Sequence, residues 1–259
     1  MELADRVAIV TGAGRGIGRA CALKLAASGA HVASVDIDSE TAASTAAAVE
    51  ASGRRALAVE ADLGDLAGID RMVESVMSAF GRIDCIVNNA GITRRAGFME
   101  LIEDDWDRIH RVNAKGVFFC MQRAAAEMIR QRQGRIINIA SIAGKGYIGS
   151  SNAIYAASKG AVLAMTKVAA HQLGQYNINV NAICPGITRT EIYQEIVQTD
   201  ARKSGRLAED IEREAIATVP IGRANEPDDV GDLAVFLASP RSRNMTGQSF
   251  NIDGGLIMD

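Results

Sequence analysis

A short β-branched run, Arg6-Val7-Ala8-Ile9-Val10, stops at Thr11-Gly12-Ala13-Gly14-Arg15-Gly16-Ile17-Gly18, and a helix-forming stretch follows to Leu25. Few architectures accept that order. A fully apolar run suits a strand covered on both faces, as in a parallel sheet. Glycines permit the tight turn and let backbone approach a pyrophosphate. The helix N-terminus adds amide donors and a partial positive charge. An ordinary βα turn is the plain alternative. It loses ground because the second strand, Ala30-His31-Val32-Ala33-Ser34-Val35, ends in Asp36, where a carboxylate grips the adenosine ribose hydroxyls of a dinucleotide. Gly12, Arg15, Gly16, Ile17, Gly18 and Asp36 are therefore candidate cofactor contacts. A 2′-phosphate would meet like charge at Asp36, at a cost of a few kcal/mol at surface-type dielectric, which favours NAD over NADP. Arg15 is placed to offset part of that repulsion. The other reading of Asp36, an N-cap for the next helix, is better filled by Asp38 and Ser39.

The alternation continues. Ala56-Leu57-Ala58-Val59 leads to Asp62-Leu63 and a helix through Phe80, and Ile83-Asp84-Cys85-Ile86-Val87 opens into Asn88-Asn89-Ala90-Gly91. Successive βα units imply an α/β fold, a doubly wound parallel sheet with right-handed crossovers and helices on both faces. A long helical stretch from about Glu103 to Arg132 contains Asn113 and Gly116, both poor formers in mid-helix. Such an Asn marks a local kink or a polar group placed on purpose. Further strands, Arg135–Ile139 and Ile178–Ile183, run into Ala140-Ser141 and Pro185-Gly186-Ile187-Thr188-Arg189-Thr190. The carboxyl end of such a sheet is where ligands bind. The polar, helical segment around 190–219 reads as a substrate lid or, equally, as a solvated helix pair. Glu226-Pro227-Asp228-Asp229 caps a helix through Ala238, and Ser249-Phe250-Asn251-Ile252 is a last strand. One domain over 1–259 is expected.

Composition narrows the function classes. Hydrophobic residues make up 48% and aromatics only 4%, which suits a sheet-and-helix core of Ala, Val, Ile and Leu. A net charge of −3 with interspersed signs calls for neither nucleic acid nor an anionic membrane. The apolar runs are strand-sized and the N-terminus lacks a leader pattern, so a cytoplasmic protein is expected. Cys21, Cys85, Cys120 and Cys184 are widely spaced in apolar segments and read as buried thiols, with no disulfide or metal role. His31, His110 and His171 are isolated, and no metal-ligand cluster stands out.

Tyr155 and Lys159 lie one helical turn apart in Ile154-Tyr155-Ala156-Ala157-Ser158-Lys159. A phenol with a free pKa near ~10 exchanges protons poorly at neutral pH. A lysine cation about 4 Å away would favour the phenolate by up to about 3 pKa units at an effective dielectric of about 20. Surface decoration of a helix is the competing reading of this pair alone.

Taken together, these motifs resemble the short-chain dehydrogenase/reductase family, from TGAGRGIG at Thr11 to the terminal NIDGG. The resemblance implies a Rossmann-type fold with a seven-stranded parallel sheet and a catalytic set of Asn113, Ser141, Tyr155 and Lys159. In that scheme Ser141 binds the substrate oxygen and Tyr155 transfers the proton. Lys159 lowers the tyrosine pKa and holds the nicotinamide ribose, while Asn113 positions a water relay. Asp62 and Leu63 would line the adenine. Asn89, Ala90, Gly91, Pro185, Gly186, Ile187, Thr188 and Thr190 would contact the cofactor, with Thr190 and Thr188 on the carboxamide. Most such enzymes are homotetramers. The spacing from Ser141 to Tyr155 is one residue longer than in many relatives, which is expected to alter the pocket near Tyr147 and Asn152.

The implied reaction is hydride transfer between a nicotinamide and an alcohol or ketone. Thr93, Arg94, Lys145, Tyr147, Asn152 and Tyr193 are expected near the substrate, a set polar enough to suggest a polyol or sugar. The alternative is a 3-oxoacyl-[acyl-carrier-protein] reductase using NADPH. Against it stand Asp36 and Gln175-Tyr176, where a basic residue would dock an acidic carrier. A catalytically idle dinucleotide-binding regulator is the alternative from another class, opposed by the complete catalytic set.

Overall fold

The computed structural model describes residues 2–149 and 151–258. The apolar runs form strands β1 (Val7–Thr11), β2 (His31–Asp36), β3 (Ala56–Glu60), β4 (Cys85–Asn88), β5 (Gly134–Ile139), β6 (Ile178–Pro185) and β7 (Ser249–Ile252). They make one seven-stranded sheet in the order β3-β2-β1-β4-β5-β6-β7, parallel throughout. Between them run α1 (Gly16–Ala27), α2 (Ser39–Ala51), α3 (Leu66–Phe80), α4 (Glu103–His110), α5 (Val117–Gln131), α6 (Ala153–Leu173), α7 (Glu191–Ser204), α8 (Ala208–Ala217) and α9 (Pro227–Ala238).

Side-chain alternation along each strand divides the core in two. Val7 and Ile9 of β1 face a layer with Met72 and Val76 of α3, Met128 of α5 and Val162 of α6. Ala8 and Val10 face the other layer, with Leu25 of α1 and Val230 and Leu237 of α9. Both strand faces are thus covered, which is why these runs are continuously apolar rather than alternating. The chain winds outward from β1 in both directions, so the crevice beyond β1 and β4 is a topological switch point. All four cysteines are buried and unbridged. Burial pushes the thiols of Cys21, Cys85 and Cys120 up to about 12, where they are inert. No helix among the described residues is long and apolar enough to cross a membrane.

Three local expectations meet the structure differently. Asp38 caps α2 as expected, accepting from the Glu40 and Thr41 amides. The long helical stretch over 103–132 runs without a gap to Gln131, but between α4 and α5 Arg111–Gly116 widens to a π-helix. The 190–219 segment folds as two helices, α7 and α8, separated at Gly205, whose φ of +69° is left-handed.

Candidate active site

At the crevice, the glycine turn is pressed against the end of β4. A Cβ on Gly18 would lie 2.0 Å from the Gly12 carbonyl oxygen, and one on Gly12 would lie 2.9 Å from the Ala90 Cα. Only glycine allows this close approach. Thr11, which sequence reasoning passed over, clasps the two strand ends. Its Oγ1 accepts from the amides of Asn89 (3.0 Å) and Ala90 (3.1 Å) and donates to the Val87 carbonyl (3.3 Å). The Asn89 side chain braces the same turn, its Nδ2 donating to the carbonyls of Thr11 (2.9 Å) and Gly12 (3.0 Å). Asp36 stands beside the turn, its Oδ2 accepting from the Gly14 amide at 2.8 Å.

A cavity of about 440 Å³ runs from Asp36 past the turn to Tyr155. Of the residues predicted to touch cofactor, Gly12, Arg15, Gly16, Ile17, Asp36, Asp62, Leu63, Asn89, Ala90, Gly91, Tyr155, Lys159, Pro185, Gly186, Ile187, Thr188 and Thr190 all line it. Gly18 does not; it packs beneath the turn. A carboxylate at the end of β2 and a side-chain-free cradle at the start of α1 fit a dinucleotide. The far wall of the cavity is held from the C-terminal end of the chain. Asn225 Nδ2 donates to the Ile252 carbonyl (2.6 Å) and to Thr188 Oγ1 (3.4 Å), and a Cβ on Gly186 would strike Asp253 Cβ at 2.7 Å.

Tyr155 and Lys159 sit on the first turns of α6. Asn152 caps this helix, its Oδ1 accepting from the Tyr155 amide at 2.7 Å while its Nδ2 donates to the Arg94 carbonyl at 2.6 Å. Asn152, expected as a substrate contact, does not line this cavity; its side chain is taken up by the cap and by Arg94. Ser141 follows β5 by two residues, and its hydroxyl acts on the Tyr155 phenol to lower its pKa. Its own Oγ accepts from the Ala143 amide at 3.1 Å, and its neighbours Ala140 and Ile142 line the cavity. Lys159 is 4% exposed and donates to the Ile139 carbonyl at 2.8 Å. Asn113, on the π-turn, is fully buried. It pairs both ways with Ile92, accepting from its amide (2.8 Å) and donating to its carbonyl (2.9 Å), and also donates to Ser158 Oγ at 3.2 Å. A Cβ on Gly91 would lie 3.3 Å from Asn113 Oδ1 and 3.5 Å from Lys159 Nζ, so the two polar groups flank one stretch of backbone. The mid-helix Asn thus proves to be both a kink and a placed polar group.

Lys159 Nζ lies 5.8 Å from the Tyr155 ring centroid and donates to the Ile139 carbonyl. Burial raises the Tyr155 pKa, and the Ser141 hydrogen bond works against that rise. Burial also lowers the Lys159 pKa to about 8, with Cys184 opposing. In the protein alone desolvation outweighs the opposing interactions at both groups, because both are buried.

Among the other residues expected near substrate, Tyr147, Thr93 and Tyr193 line the cavity, whereas Arg94 and Lys145 do not. Arg94 pairs with Asp105, and Lys145 Nζ donates to the Ser249 carbonyl at 3.2 Å. Arg95, which was not singled out, lines the wall instead, its Nε bonded to both oxygens of Asp200 on α7 at 3.0 and 3.1 Å. The cavity wall is mostly apolar, with Ile92, Ile142, Tyr147, Ile192, Tyr193 and Ile196 beside the polar Thr93, Arg95 and Ser151. Among the described residues no group of three or more His, Cys, Asp and Glu is arranged to hold a metal ion.

Over residues 12–257 the chain matches the family model described as enoyl-(acyl carrier protein) reductase. It is 38% identical over 255 residues to the (2S)-[(R)-hydroxy(phenyl)methyl]succinyl-CoA dehydrogenase subunit BbsD of Thauera aromatica, with 98% of each chain covered. It is 39% identical over 259 residues to the 3-oxoacyl-[acyl-carrier-protein] reductase FabG of Thermotoga maritima, with 100% of each covered. Among solved structures, an NAD+-bound xylitol dehydrogenase superposes with a TM-score of 0.91 at 33% identity, covering 98% of this chain and 100% of that one.

Proposed function

The chain belongs to the short-chain dehydrogenase/reductase family and is an oxidoreductase with a nicotinamide-dinucleotide fold, and from that premise we propose that it interconverts a secondary alcohol and its ketone using NAD(H). The observation that carries this reading is Tyr155 on the cavity wall, bonded to Ser141 and backed by the buried Lys159. In oxidation the Tyr155 oxygen takes the alcohol proton; in reduction it returns one to the carbonyl oxygen. Bound NAD(H) supplies the hydride acceptor or donor. Ser141 donates to the phenolate and is positioned to hold the substrate oxygen beside it. With its pKa near 8, Lys159 is mostly charged at neutral pH and keeps a cation close to the developing phenolate. Asn113 works from behind, fixing Ile92 and the Ser158 side of α6.

Asp36 supports NAD over NADP. Arg15, the residue placed to soften that preference, leans toward Glu195 at 3.9 Å. The apolar wall supports a substrate with an apolar body over a polyol or sugar. Reduction of a 3-oxoacyl thioester is the second reading, favoured by that wall and by the named activity of the Thermotoga maritima relative. Assembly as a homotetramer is part of the proposal. Trp106, Phe118 and Val168, exposed on α4, α5 and α6, supply apolar surface for it.

A matched screen of polyols, apolar secondary alcohols and 3-oxo thioesters with NAD(H) and NADP(H) tests the reading. Apolar alcohols with NAD are expected to give the highest kcat/KM; a polyol ahead of them overturns the substrate class. Asp36→Ala is expected to lower the NAD-to-NADP preference by about 10- to 100-fold. An unchanged ratio in a cofactor titration removes the ribose argument.

A further inference from the structure

A second cavity, about 620 Å³, opens beside the first, and Arg95, Tyr147 and Ser151 line both. The two spaces therefore adjoin along that shared wall. Ala153 and Ala156 of α6 line the second space, while Tyr155 of the same helix lines the first. Farther out its walls are Phe98 and Ile148, which are 77% and 100% exposed. Large apolar side chains bared to water and facing one groove mark a binding surface.

Charge decides what kind of chain fits. The ionic groups along the groove are paired with each other: Arg95 with Asp200, and Lys203 Nζ with Glu100 at 3.4 Å. An anionic or cationic tail would have to break one of these pairs to find a partner. A neutral apolar chain meets Phe98, Ile148 and the alanine floor without disturbing either.

We propose that this groove is a subsite for an uncharged, linear apolar chain attached to the reacting alcohol or ketone, so that the substrate is a small head with a long tail. The inference rests on the alcohol/ketone reading given above. It makes Phe98, Ile148 and Ala153 specificity-determining residues that act on the tail, remote from the reacting carbon.

Steady-state rates with NAD(H) for 2-alkanols and 2-alkanones of increasing length provide the test. Expected is a rise in kcat/KM of about two- to threefold per added methylene over several carbons, the factor that partial burial of a CH₂ supports. In Phe98→Ser and in Ala153→Phe, which fills the groove, the long-to-short ratio within each variant is expected to fall about tenfold. Using the ratio cancels any general loss of activity. Short substrates turned over with no dependence on length overturn the groove and leave the reaction class standing. No turnover of any alcohol or ketone overturns the reaction class. In that case calorimetric binding of inert N-alkyl acetamides still reads the groove: affinity rising with length and lost in Ala153→Phe supports it, and a flat series overturns it.

Discussion

On one side of the cavity, Lys159 and Asn113 are buried and their polar atoms are taken up by Ile139, Ile92 and Ser158. On the other side, α7 is tied to the segment after β4 by Arg95–Asp200 and Lys203–Glu100, pairs that are partly or largely exposed to water. A buried, fully bonded group has one low-energy position, since any other leaves a donor or acceptor unmet. Exposed ion pairs contribute at most about 1 kcal/mol each and weaken in salt. On the proposed reading proton transfer falls to the rigid floor, while α7 is held on this side by contacts of little energy.

Four substitutions break or sharpen that contrast. Tyr155→Phe removes the proton carrier, so kcat is expected to fall by about 10³-fold or more while NADH affinity, read by fluorescence titration, stays within about twofold. A rate within tenfold of wild type would remove the mechanism. Asn113→Ala leaves the Ile92 amide and carbonyl and the Ser158 hydroxyl short of a partner, at a cost of about 2–4 kcal/mol in urea denaturation. A loss under 1 kcal/mol would mean the floor is less rigid than described.

Ser141→Ala is expected to slow turnover about 10- to 100-fold, with a diagnostic pH effect. Ser141 stabilises the phenolate and so lowers the Tyr155 pKa against burial. Removing it raises that pKa, and the ascending limb of kcat/KM against pH for alcohol oxidation moves to higher pH. A limb that stays or moves to lower pH contradicts the assignment. Asp200→Asn is expected to do least, a two- to fivefold change in KM that disappears in about 1 M salt. A large fall in kcat there would place Asp200 in the chemistry instead.

Legibility in the sequence follows the range of the interactions. Strands, their parallel pairing and the glycine turn rest on local pattern, and the sheet has them as expected, with ends shifted by one or two residues in β1, β2, β4 and β6. Tyr155 and Lys159 are legible because their motif is short, whereas Ser141 enters through the family resemblance. Asn152 carries a second local signal besides a pocket position: an Asn just before Ala153-Ile154-Tyr155 is a helix cap by type and position. Arg95–Asp200 spans 105 positions, and nothing along a single chain pairs those two. The Thr11 clasp was missed for the same reason, although a hydroxyl between a strand and a glycine was a hint. Helix spacing sets which face Tyr155 and Lys159 share; that the Ile139 carbonyl holds Lys159 depends on a strand 20 positions earlier.

The wall formed by residues 186–190 is buttressed by Ile252 and Asp253, near the last residues of the chain. Neither half of the cavity is self-sufficient. The helix carrying the nucleotide turn packs on Val230 and Leu237 of α9, and the 186–190 wall leans on residues at and just after β7. A change at Asn225 or Asp253, in contact with no reacting group, would reach the cofactor side through that wall.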